Sequence, residues 1–434
     1  MLQRSFFCFL FGVSFAAVAS AAGATAATSV QVGLDRLDEA TFLSTLQGKR
    51  LGLVSHSVSQ TSSRSSKPNT HAVDWISQEL KLDLKLLFAP EHGLRSVDDS
   101  DGEDGIDPKS GLPVISLYKV SKRALDAADW AQIDVLLVDL QDVGVRYYTY
   151  PSTVALLIDS LQTARAATPV GQPEKEIWIL DRPNPLGGEK VEGSRLESSL
   201  ARHFISFFEI PTRHGMTMGE IARMYVEKMG YEKPGTSSGL RVVKMVDWDR
   251  SFYFSDTGLN WVAPSPALVT ADQAKLYSVF GPLEAFDLSV GRGLQNDQAF
   301  RRFGAPWITT NDAAILAANL NAAVTTKELR FSPIGWKVTR AAHDGQWVEG
   351  VEVTMGDFSQ VQTREAAMQV ASVFADFFGA KLAPNIWAPR YWGSQGLLDS
   401  IFKVTGSKSI SDSALQIEKE EAAFLVERRP FLIY

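Results

Sequence analysis

Cysteine is nearly absent from the chain: one residue in 434, Cys8, which sits in an apolar leader. The rest of the chain therefore has no disulfide, no thiolate nucleophile and no cysteine metal ligand. Runs of Lys or Arg are also missing, and 43 basic residues are scattered among 50 acidic ones for a net charge of -7. That balance argues against nucleic acid or an anionic membrane as a partner. No G-x-G-x-x-G follows any apolar run and no Walker pattern occurs, so neither a dinucleotide nor a triphosphate is implied and no cofactor is expected. H-E-x-x-H is absent, no internal repeat is present, and no apolar stretch reaches the ~20 residues that a membrane span needs.

What is present begins with a targeting segment. Arg4 gives a short positive region, Phe6 to Val18 an apolar one, and Ala17-Val18-Ala19, Ala19-Ser20-Ala21 and Ala24-Thr25-Ala26 offer small-x-small cleavage sites. Residues 1–26 are expected to be a cleaved signal peptide and the mature protein to be periplasmic or secreted. Cys8 comes too early, with no small residues before it, for lipid attachment. Loss of Arg4 with the leader leaves 42 basic against 50 acidic residues.

At this length two domains are expected. Apolar runs at 50–54, 84–89, 113–117, 135–140 and 177–180 read as strands, and helical periodicity fits 73–80, 122–130 and 152–166. Alternating helices and near-continuous apolar strands predict an α/β, Rossmann-like, mostly parallel sheet domain over residues 30–200. A smaller α+β C-terminal domain is expected over 201–434, with helices at 312–323, 364–378 and 412–428 and strands near 330–339 and 348–355. The final Phe431-Leu432-Ile433-Tyr434 is expected to dock on the body.

Open α/β sheets bind ligands at the carboxyl ends of their strands. There the sequence is polar five times over: Ser55-His56, Glu91-His92, Tyr118, Gln141-Asp142 and Asp181-Arg182. The Glu91-His92 pair, between Pro90 and Gly93, places two titratable groups where a strand gives way to a loop. Other polar stretches read as structural. Asp98, Asp99, Asp101, Glu103, Asp104 and Asp107 do not fit a calcium loop, because the position that needs Gly holds Asp104; a solvated loop is expected. The Ser-rich run to Ser66 is expected to be exposed beyond His56. Thr217 and Glu220 have capping-box spacing, which assigns Glu220 to a helix start, whereas His214 just before that helix is a functional candidate. Arg292, between Gly291 and Gly293, suits a guanidinium that clamps a carboxylate.

Taken together, APEHG at 89–93, IDPKSGLPVISLY at 106–118, DLQDVGVRYYTY at 139–150, LDRPNPLGG at 180–188, RHGMTMGE at 213–220, WVAPSP at 261–266, SVGRG at 289–293 and GAPW at 304–307 resemble the exo-β-N-acetylmuramidase family, from about Gly33 to Tyr434. The resemblance implies an exported glycoside hydrolase that takes terminal N-acetylmuramic acid from the non-reducing end of peptidoglycan fragments, in a cleft between the two domains. Departures from the family pattern are Ser55 before His56, Ala267 after Pro266, Leu294 after Gly293, and Ala299-Phe300-Arg301 where an acidic piece is usual.

For that chemistry Glu91 is the expected acid, with His92 beside it, and Asp142 the second carboxylate, with Asp139 as alternate. The sugar's own acetamido carbonyl is the other candidate nucleophile. Expected substrate contacts are His56, Asp139, Gln141, Arg146, Tyr148, Arg182, His214, Glu284 and Arg292, of which Arg292, Arg146 and Arg182 are candidates for the lactyl carboxylate. Two rival readings are a metal-dependent deacetylase or amidase using His56, His92, His214 and Asp142 as ligands, and a muropeptide-binding protein without catalysis.

Overall fold

The computed structural model describes residues 29–95, 102–232, 237–291 and 298–434. The targeting segment and Arg292 lie outside them. Seven strands build the first sheet: β1 (Leu51–Ser55), β2 (Leu84–Ala89), β3 (Gly105–Ile106), β4 (Pro113–Ser116), β5 (Val135–Asp139), β6 (Glu176–Leu180) and β7 (Leu240–Val243), in the order β3-β4-β2-β1-β5-β6-β7. Only β3 runs antiparallel to its neighbour.

Because side chains alternate across a strand, the apolar runs feed two cores. Leu136, Val138, Ile177 and Ile179 face Val154, Leu157, Ile158 and Leu161 of the Thr149–Ala167 helix. Val135, Leu137, Trp178 and Leu180 face the other way, onto Leu46, Trp75 and Ile76. A strand buried on both sides cannot alternate polar with apolar, which is why β1 and β5 read as unbroken runs.

The chain leaves β1 toward β2 and β4, then returns to the other flank of β1 with β5. That reversal is the crevice at which doubly wound sheets bind ligands.

The second sheet is antiparallel: β8 (Arg302–Ala305), β9 (Leu329–Lys337) and β10 (Trp347–Met355), ordered β8-β10-β9. The Thr310–Ala323 helix packs on it and the Thr363–Phe378 helix packs on that helix, and their buried residues join the same apolar core as one face of the large sheet. The protein is thus a two-domain α/β fold with a smaller C-terminal domain.

Several details differ from expectation. The join does not fall near residue 200, since β7 and the Met218–Lys228 helix complete the first sheet. The 122–130 helix instead spans Ala127–Gln132, because Asp126 and Asp129 form a capping box that starts it there. The Ser-rich run is exposed only in part, at Ser63, Arg64 and Ser66: the Ser59 hydroxyl donates to the Asp139 carbonyl at 2.6 Å and the Ser62 hydroxyl to Asp35 at 2.6 Å, and both of these serines are buried. Nor is the acidic loop wholly solvated, for Asp107 is buried and paired with Arg95, which also holds Asp74. Asp98, Asp99 and Asp101 lie outside the described residues. The C-terminus docks as expected, with the Tyr434 ring edge-on to Trp248 and its hydroxyl donating to Asp181.

Candidate active site

Where β2 ends, Pro90 stops the ladder and the chain turns with His92 at φ +73° and Gly93 at +89°. A left-handed His is a strained choice, of order 1–3 kcal/mol, and such strain concentrates at functional loops. The turn delivers Glu91 to a cavity of about 620 Å³ that is walled by both domains. Glu91 is the only carboxylate among the described residues that line it. Its Oε2 accepts the Thr149 hydroxyl at 2.5 Å, and His92 Nε2 lies 4.0 Å from Oε1.

Aromatic side chains make most of the wall: Tyr118, Tyr147, Tyr148, Phe204, Tyr277, Phe300, Trp387 and Tyr391. They are locked against one another, with Tyr147 5.1 Å from both Tyr277 and Tyr391, and Tyr277 4.6 Å from Phe300, between ring centroids. The Tyr147 hydroxyl donates to the Tyr277 carbonyl at 2.7 Å and the Tyr148 hydroxyl to the Pro264 carbonyl at 3.1 Å. Burial pushes both phenols far above the usual range, so they are neutral donors. Flat apolar faces with few oriented polar groups suit a sugar, whose axial C–H faces are apolar and whose edges are hydroxyls.

Behind Glu91 lies a layer of support. The Gln141 backbone N–H donates to His56 Nε2 at 3.0 Å, which leaves the ring proton on Nδ1, 3.2 Å from the Tyr150 oxygen. Tyr150 in turn donates to the Glu91 carbonyl at 3.0 Å. Burial, with help from the Arg182 charge, holds His56 well below the usual imidazole range, so this relay is neutral and structural.

Of the site residues expected from sequence, Glu91, His92 and Tyr148 line the cavity and the other described ones do not; Arg292 lies outside the described residues. Asp139 is buried in a bidentate pair with Arg182, at 2.5 and 2.8 Å, and Arg182 also donates to the Gln60 carbonyl. Gln141 spends its amide on the Asp142 and Pro183 carbonyls. Asp142, 3% exposed, accepts the Gly144 N–H at 2.9 Å and sits 3.2 Å from His214 Nε2. Gly144 has φ +84°, and a Cβ there would collide with Asn184, so the loop needs glycine to aim Asp142 inward.

Arg146 is fully buried, donates to the carbonyls of Ser194, Ile210, Arg390 and Tyr391, and is lowered to about 10 by burial. It ties the cavity's two sides together rather than facing substrate. Glu284 stands behind the wall, accepting from the Tyr391 hydroxyl at 3.3 Å. The proposed metal ligands are not gathered: among the described residues no three His, Cys, Asp or Glu side chains cluster.

Sequence reasoning missed Thr149, Arg123 and His203. Thr149 lay inside the 139–150 motif and was hidden by its ordinary helical propensity. Arg123 was hidden by the over-long helix at 122–130. Its loop is freed by the Asp126 cap.

Fold and site together define a class: a two-domain α/β protein with a carboxylate at a strand end beside an aromatic interdomain cavity. The description Exo-beta-N-acetylmuramidase NamZ matches the chain in both parts, N-terminal over residues 51–272 and C-terminal over 275–434, and the chain belongs to that family. It is 30% identical, over the full length of both chains, to the peptidoglycan beta-N-acetylmuramidase NamZ of Bacillus subtilis. A crystal structure of a DUF1343 family protein from Bacteroides fragilis superposes with a TM-score of 0.78 at 27% identity, covering 94% of this chain and 99% of that one. A second such structure from the same organism, at 22% identity and a TM-score of 0.68, shares the fold.

Proposed function

We propose that this protein is an exported, exo-acting β-N-acetylmuramidase that releases terminal N-acetylmuramic acid from the non-reducing end of peptidoglycan fragments. The observation that carries the reading is Glu91, held at 2.5 Å by Thr149 in an aromatic cavity built by both domains of a muramidase-family chain. Export is supported by the Arg4 and Phe6 to Val18 segment with its small-x-small sites, and the periplasm is the compartment that suits it.

In this reading Glu91 gives its proton to the glycosidic oxygen as the C–O bond breaks, and the leaving sugar departs as an alcohol. The positive charge that develops at the anomeric carbon is met by the 2-acetamido oxygen of the same sugar. Asp142, expected as the second carboxylate, is turned to His214 instead. Glu91, now a carboxylate, removes a proton from the water that opens the intermediate. Two displacements at one carbon retain configuration. Proton NMR of a β-linked substrate is expected to show the β-anomer of free N-acetylmuramic acid first; an α-anomer formed first would require a separate base.

A further inference from the structure

We propose that Arg123 recognises the carboxylate of an acidic sugar and sets the cavity's preference for a lactyl-bearing N-acetylhexosamine over its parent; the assignment rests on the reading of this cavity as a sugar site. Arg123 lines the same cavity as Glu91. Its guanidinium is held between two rings, with Cζ 3.9 Å from the centroid of Phe204 and 4.8 Å from that of Tyr118. Stacking fixes the plane and leaves the N–H edges for acceptors, so little entropy remains to be lost when a carboxylate meets the fork. Among the described residues Arg123 forms no ion pair, and its Nη1 is enclosed without a hydrogen-bond partner.

Further nitrogen-bearing groups stand near Arg123, in a cavity whose one carboxylate among the described lining residues is Glu91. His203 lines the same cavity, stacked on Trp387 at 4.8 Å, and is held low by burial and by the charges of Arg390 and Arg123. Arg390, 5.6 Å from the Trp387 ring, has an enclosed Nε without a partner. Arg123 in the lining and Arg390 beside Trp387 thus give two guanidinium groups without an ion pair among the described residues, which favours an anion. Of the other cationic candidates, Arg146 is committed to four backbone carbonyls and Arg182 to Asp139, and Arg292 lies outside the described residues.

Calorimetric titration of the full chain with N-acetylmuramic acid, its methyl ester and N-acetylglucosamine tests this directly. Wild type is expected to bind the acid roughly 10- to 100-fold more tightly than either neutral ligand, the range of a charged hydrogen-bonded contact. Arg123→Gln is expected to bind all three alike, at the wild-type level for N-acetylglucosamine and with an unchanged melting temperature. Arg123→Lys restores part of the preference, because charge returns without the fork. The methyl ester makes the same comparison on the unaltered protein, so a variant that fails to fold does not shield the proposal. Equal binding of acid and ester by wild type, or a folded Arg123→Gln that keeps the preference, overturns it. Sugar release is read separately: a protein with the preference but no release keeps the Arg123 assignment and loses the hydrolase reading.

Discussion

The Thr149 hydroxyl donates to Glu91 Oε2 across 2.5 Å, and so joins the loop after β2 to the first turn of the Thr149–Ala167 helix. The contact fixes the acid's rotamer without spending a charge. Thr149→Val keeps the shape and removes only the hydroxyl. It is expected to lower kcat about 10- to 100-fold, the scale of a hydrogen bond to a charged group, with a melting temperature near that of wild type. Steady-state kinetics with a chromogenic N-acetylmuramide, beside a thermal melt, checks this; an unchanged kcat would detach Thr149 from the acid.

The Asp142–His214 pair is assigned a structural role. The Met216 N–H donates to His214 Nδ1 at 3.2 Å, which puts the ring proton on Nε2, 3.2 Å from Asp142 Oδ2 but without hydrogen-bond geometry to it. Removal of one member of such a buried pair leaves the other without compensation. Asp142→Ala is expected to cost about 3–5 kcal/mol of stability, read by denaturant unfolding, while the folded fraction keeps at least a tenth of wild-type kcat. A variant of native stability with kcat reduced a thousandfold would return Asp142 to the chemistry.

Asp181 gives a pH dependence. It is fully buried at the end of β6, accepting from Thr217 at 2.7 Å, from the Gly219 N–H at 2.9 Å and from Tyr434 at 2.9 Å. Burial pushes its carboxyl up to about 7, with the nearby Glu220 charge adding to the rise. A carboxyl raised in the folded state binds a proton that the unfolded chain has already lost, so its contribution to stability is full below pH ~4 and falls as pH rises toward 7. Asp181→Asn is expected to flatten that part of the curve. Melting temperatures from pH 4 to 8 for both proteins check it, and parallel curves would refute the assignment.

The sheet was legible because its strands are buried on both faces, and a run such as Val135 to Leu140 has no competing helical reading once turns bound it. Glu91 was legible for a related reason, since a charged pair placed just after a buried strand stands out. Its neighbours were harder to read. Asp139, Asp142 and Asp181 share the polar strand-end signature, yet each is turned inward to a partner distant in sequence: Arg182, His214, and the start of the Met218–Lys228 helix. Sequence shows that a polar group stands at a strand end. It does not show which way the loop turns it, and that depends on contacts such as the one that requires Gly144. Arg123 was lost to a boundary of a few residues, the least determined feature of any helix. The aromatic wall is assembled from segments as far apart as Tyr118 and Tyr391, so no local pattern announces it.

The most direct test of the account is digestion of a disaccharide with N-acetylmuramic acid at its non-reducing end and N-acetylglucosamine at the other, with products identified by mass spectrometry. Wild type is expected to yield the two free sugars. Glu91→Gln, with an unchanged thermal melt, is expected to slow their appearance roughly 100- to 10,000-fold, the usual contribution of a general acid. An intact disaccharide after prolonged incubation with wild type, release of acetate in place of free sugar, or wild-type turnover by Glu91→Gln would contradict it.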